Sequence, residues 1–101
     1  MTHRVAFAPE AETQLIALHD YIAGEASSAI VERYAEAIVA FCESLSEFPN
    51  RGTPRDDLRP NLRTLSFRRR VTIAYAAGST DVTILGIYSG GQDIDALLRE
   101  D

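Results

Sequence analysis

The chain has 101 residues, 46% of them hydrophobic and 25% charged, with ten basic side chains against fifteen acidic ones. That length suits a single domain, residues 1–101, built around one two-layer core, and no apolar run approaches the ~18 residues of a membrane span. One cysteine, Cys42, excludes an internal disulfide and a cysteine-built metal site.

Residues 3–8 read as a short strand in which Val5 and Phe7 alternate with Arg4, Ala6 and Ala8. Pro9 interrupts the opening stretch too soon for a signal peptide, so a cytoplasmic protein is expected. The same proline suits the first turn of a helix, with Glu10 and Glu12 near its positive end. Ala11, Leu15, Leu18 and Ile22 form one helical face, and Gly24 is a plausible stop. Ser27 or Ser28 can cap a second helix. Its stripe of Ile30, Tyr34, Ile38, Phe41, Leu45 and Phe48, widened by Val31, Ala35 and Cys42, carries it to Pro49. Cys42 within that stripe reads as a buried structural thiol. Two helices joined by so few residues should form an antiparallel hairpin.

Residues 49–60 are rich in proline, glycine and aspartate and read as a loop. A strand follows, with Leu62, Thr64 and Ser66 alternating with Arg63 and Leu65. Residues 70–76 make the next, with Val71, Ile73 and Tyr75 opposite Arg70, Thr72 and Ala74. Gly78-Ser79-Thr80 turns the chain into a third, residues 81–88, with Val82 and Ile84 on one face and Leu85 and Ile87 on the other. Apolar on both faces, this strand should be central and covered. After Ser89-Gly90-Gly91, residues 93–98 suggest a short terminal helix. The expected class is α+β: a helical hairpin packed on a mainly antiparallel four-stranded sheet, in the order β-α-α-β-β-β plus a C-terminal helix.

The charge is unevenly placed. There is no lysine, and seven of the ten arginines fall between Arg51 and Arg70, opposed there only by Asp56 and Asp57. Residues 1–50 set Arg4 and Arg33 against eight acids, and residues 71–101 set Arg99 against five. A concentrated positive patch on an acidic protein draws anionic partners, and guanidinium adds bidentate recognition of carboxylate or phosphate. Arg55, Arg59, Arg63, Arg68, Arg69 and Arg70 are therefore the candidate target-binding residues.

Phe48-Pro49-x-x-Gly52-x-x-Arg55-x-x-Leu58-x-Pro60-x-Leu62-Arg63-x-Leu65 resembles the segment after the second helix in toxins of the ParE/RelE superfamily. Arg69-Arg70-Val71-Thr72-Ile73-Ala74-Tyr75 and Asp81-Val82-Thr83-Ile84-Leu85-Gly86-Ile87 are similar to its following strands, and Gly90-x-Gln92-Asp93 to the turn beyond. Ala8-Pro9-Glu10-Ala11-x-x-x-Leu15 and Asp20-Tyr21-Ile22-Ala23 match its opening. The resemblance spans nearly the whole chain and favours the ParE branch. It implies a type II toxin, a ParD-like ribbon-helix-helix antitoxin as partner, and DNA gyrase as target, with DNA contact only indirect, through the antitoxin. The RelE branch instead implies ribosome-dependent cleavage of mRNA. Relatives often carry His-Gly-Arg after the last strand, where this chain has Ser89, Gly90 and Gly91. The missing basic group keeps open a third reading, a detoxified homologue that binds only antitoxin.

The residues favour binding over chemistry. RNA cleavage needs a group to take a proton and a group to give one, and arginine is a poor base with a reference pKa above about 12. His3 reads as an edge or solvated residue, His19 as packing against the sheet, and Tyr88 as core. No His-x-x-x-His or Glu-x-x-His spacing suggests a metal, and no cofactor is expected. Val31 and Ala35, on an outer helix face, are candidates for a partner groove.

Overall fold

The local signals for the helices are realised closely. The computed structural model describes residues 3–24, 27–89 and 94–99. Strand β1 (Arg4–Phe7) leads into helix α1 (Pro9–Ala23), with Pro9 at its first turn and Glu10 and Glu12 beside it. Helix α2 (Ser28–Glu43) is capped by Ser27, whose hydroxyl accepts from the Ile30 amide at 3.4 Å. The α-helix ends earlier than its apolar stripe. A 3-10 turn, Ser44–Ser46, takes over, and Leu45 becomes fully buried from that turn.

The remaining elements are β2 (Thr53–Pro54), β3 (Leu62–Phe67), β4 (Val71–Ala77), β5 (Asp81–Ser89) and α3 (Ile94–Leu98). The sheet has five strands in the order β1-β5-β4-β3-β2, not four. The additional strand lies inside the expected loop: Thr53 and Pro54 pair antiparallel with Thr64 and Arg63. Two residues ending in proline carry no alternation, yet proline is tolerated at a sheet edge. The sheet is also mixed, because β1 runs parallel to β5 with Val5 opposite Val82.

β5 departs from simple alternation. Ala74 pairs with Gly86 but Tyr75 pairs with Ile84, so Leu85 is an extra residue in a bulge. The bulge returns Ile87 to the side of Val82 and Ile84, correcting the expectation that Leu85 and Ile87 share a face. These three pack with Ile73 and Tyr75 against Ala11, Ile38, Cys42 and Leu45 of the helical layer. On the opposite side, Leu58, Leu62, Ala74 and Tyr88 are closed over by Leu98 of α3, with Leu85 and Ile94 beside them.

The helices also close on each other. Val31, 1% exposed, and Ala35 lie in the α1–α2 seam with Leu15, Leu18 and Ile22. They complete the monomer rather than line a groove. His19 stands in the same seam, so it packs against α2 and not the sheet. Burial, with help from Glu43, pushes the Cys42 thiol up to about 12, which leaves it un-ionised at neutral pH. No described helix is long and apolar enough to cross a membrane.

Candidate interaction surface

The six candidate arginines divide into two groups. Arg55, Arg59 and Arg63 hold the 49–60 segment in place. One Arg63 nitrogen donates to the carbonyls of Asn50 at 3.0 Å and Gly52 at 2.7 Å. Arg55 makes a two-pronged pair with Asp57 at 3.0 and 3.1 Å and reaches Asp95 on α3 at 3.2 Å. Arg59 donates through Nε to the Leu98 carbonyl at the end of α3, at 2.7 Å. A guanidinium there satisfies one of the carbonyls a helix leaves unpaired at its C-terminus.

The Arg55 guanidinium holds the Asp57 carboxyl below its ordinary 3.8, chiefly by hydrogen bonding. Arg55 is itself shifted upward by Asp57 and Asp95. Because the shift on Asp57 is downward, its contribution to stability is present above about pH 4 and lost as the pH falls below that. Both groups meet solvent, so the contribution is small.

Tyr75 completes the loop's anchorage. Its fully buried ring sends the hydroxyl out of the core to donate to the Pro49 carbonyl at 2.9 Å and accept from the Gly52 amide at 2.8 Å. Burial raises its pKa, while the Gly52 bond and the charges of Arg63 and Arg51 oppose the rise. Tyr75→Phe strands a buried amide and is expected to cost about 1–3 kcal/mol. Chemical denaturation checks the cost. Hydrogen exchange should show faster exchange of the Gly52 amide while β4 and β5 stay protected.

Arg68, Arg69 and Arg70 form the second group, at the β3–β4 turn. Arg70 N donates to Phe67 O at 3.1 Å, and Arg68 and Arg69 have φ of 51° and 61°. Two successive left-handed residues suit glycine or asparagine; for arginine each costs about 1 kcal/mol or more. The Arg68 guanidinium lies 4.9 Å from the Phe67 ring centre and 5.8 Å from that of Tyr34. All three arginines are exposed, and the side chains of Arg69 and Arg70 make no hydrogen bond or ion pair among the described residues.

Arg51 belongs beside this group, although it was not among the six candidates. Its guanidinium sits 5.2 Å from the Phe41 ring centre and donates to Ser44 Oγ at 3.3 Å. An open hollow is lined by Glu47, Phe48, Pro49, Asn50 and Arg51. The clue in the sequence is that Phe48 stands three residues before Arg51, at the ragged end of the apolar stripe.

Among the described residues, the two histidines and Tyr88 do not converge on these arginines. His3 Nε2 is 3.1 Å from the Gly78 carbonyl, and His19 Nδ1 is 3.6 Å from an Asp20 oxygen. Tyr88 is buried between the sheet and α3. No three His, Cys, Asp or Glu side chains among the described residues are grouped to hold a metal. Gly90, Gly91, Gln92 and Asp93, which carry the departure from the family triplet and the far turn, lie outside the described residues.

Comparison with known proteins follows the fold. The family model for the ParE toxin of the type II toxin–antitoxin system parDE matches residues 5–94. A solved structure described as the chromosomal ParDE TA system from P. aeruginosa superposes with a TM-score of 0.75 at 20% identity, covering 87% of this chain and 96% of that one. At that identity the likeness establishes a shared fold. A search of curated proteins finds no match.

Proposed function

The chain belongs to the ParE toxin family, and on that premise we propose that it acts by binding a protein target, DNA gyrase, and is silenced by a ParD-like ribbon-helix-helix antitoxin. The observation carrying this reading is the β3–β4 turn: three exposed arginines, two of them in a costly backbone conformation, with His3 and His19 distant and Tyr88 buried. Backbone strain of this kind persists where function uses it. Such a turn suits binding through charge rather than proton transfer. The exposed Ile16, Tyr21 and Ile30 on the helical hairpin support an apolar antitoxin segment.

Purified chain added to gyrase is expected to block supercoiling and accumulate cleaved DNA. Arg69→Asn with Arg70→Gln should weaken the effect by degrees, mainly through slower association and reduced salt sensitivity. A single lost acid or base would instead remove ~10²–10⁴-fold. Transcript ends mapped shortly after induction are the companion measurement. New breaks within translated codons, with gyrase unaffected, would overturn this reading in favour of a RelE-like ribonuclease. Normal growth without antitoxin and silence in both assays would favour the homologue that only binds antitoxin.

A further inference from the structure

We propose that the β3–β4 turn and the adjoining edge of α2 form a binding track for single-stranded nucleic acid, with Arg68, Arg69, Arg70 and Arg51 on its phosphates and Phe48 stacking on a base. The track does not depend on the gyrase reading.

Contacts between arginines and aromatic rings run from the turn to α2. Arg68 lies 4.9 Å from the Phe67 ring centre, Phe67 lies 5.2 Å from Phe41, and Arg51 lies 5.2 Å from the Phe41 ring centre. Tyr34 meets the edge of Phe67 at 5.9 Å and also flanks Arg68. Phe67 is buried and Tyr34 and Phe41 pack against the core, so these rings hold the arginines in place, and Phe48, 60% exposed beside Arg51, is the ring open to a base. Positive charge beside an exposed aromatic face is the pattern that holds single strands, because phosphates satisfy the arginines and every base has a face to stack.

Local electrostatics allow this on a chain of net charge −5. Glu32, Glu36 and Glu43 fall about half a helical turn away from Tyr34 and Phe41, so the acids of α2 occupy the opposite face. Glu47 is the exception, since it lines the same hollow as Phe48 and Arg51. An acidic peptide is the competing occupant. It would satisfy the arginines but leave the exposed Phe48 ring without a stacking partner.

The test uses the purified full chain and a fluorescently labelled oligothymidine, followed by anisotropy. Three or more phosphate contacts predict a slope of log K against log salt near −2 or steeper, about a 20-fold loss of affinity between ~50 and ~200 mM. Arg69→Asn with Arg70→Gln, which leaves the second left-handed position to asparagine, should flatten that slope to about −1. Phe48→Ala changes an exposed side chain and should weaken binding about 5-fold or more with little change in slope. Glu47→Gln should strengthen it, while Arg4→Gln, on the distant strand β1, should leave it unchanged. Unaltered binding by the arginine and Phe48 variants would overturn the proposal. So would a polyglutamate peptide binding where oligothymidine does not, or a duplex binding as tightly as the single strand.

Discussion

Leu45→Ala should lower the unfolding free energy by about 2–5 kcal/mol. Leu45 is fully buried and packs in the main core with Ile38 and Cys42. It projects from the 3-10 turn, which links α2 to the 49–60 segment. Truncation removes the transfer energy of the side chain and leaves a cavity that sheet and helix cannot both close. Domains of this size are stable by only about 5–15 kcal/mol, so the loss is a large share of the total. Thermal unfolding should show a midpoint lower by about 10 °C or more. A midpoint within a degree or two of the native value would mean the turn is packed differently.

Gly86→Ala should be nearly as damaging, which is unexpected for a residue within a strand. A Cβ there would meet the buried Tyr88 ring, 2.5 Å from both Cε2 and Cζ and closer still to its hydroxyl. Tyr88 crosses Gly86 on the side of the sheet closed by Leu98, where its ring is only 4% exposed, so yielding would disturb the packing around it. Overpacking of this kind costs about 1–3 kcal/mol, occasionally more. The diagnostic is a double-mutant cycle. In a Tyr88→Leu background the added methyl should be tolerated far better, giving a coupling of about 0.5–3 kcal/mol between the positions. Additive losses would place the clash elsewhere.

The two substitutions also separate what each level of organisation contributes. Leu45 was legible as core because it stands on a helical stripe, a local pattern that says which face a residue presents. The same kind of signal identified both helices, the Ser27 cap, Pro9 at the first turn, and the strands around Ile73 and Ile84. Gly86 carried no such mark. Its constraint comes from Tyr88 lying across it in a bulged strand, and a bulge depends on how β4 and β5 register rather than on either strand alone.

The arginines show the same division. Their concentration between Arg51 and Arg70 was plain in the sequence, and so was the contrast with an otherwise acidic chain. Spacing could not distinguish Arg59, which donates to a carbonyl 39 residues away on α3, from Arg69, which makes no described side-chain bond. Nor could it pair β1 with β5 across nearly the whole chain, or find β2 in two residues of an expected loop. The sequence by itself determined the type of the helices and longer strands, the helix faces, the charge distribution and the family, because periodicity, capping residues and composition act over a few neighbouring positions. Tertiary structure alone decided strand neighbours, the bulge, the sealing of Val31 and Ala35, and which arginines remain available. Those outcomes rest on hydrogen bonds and packing between distant segments, whose partners exist only once the chain has closed upon itself.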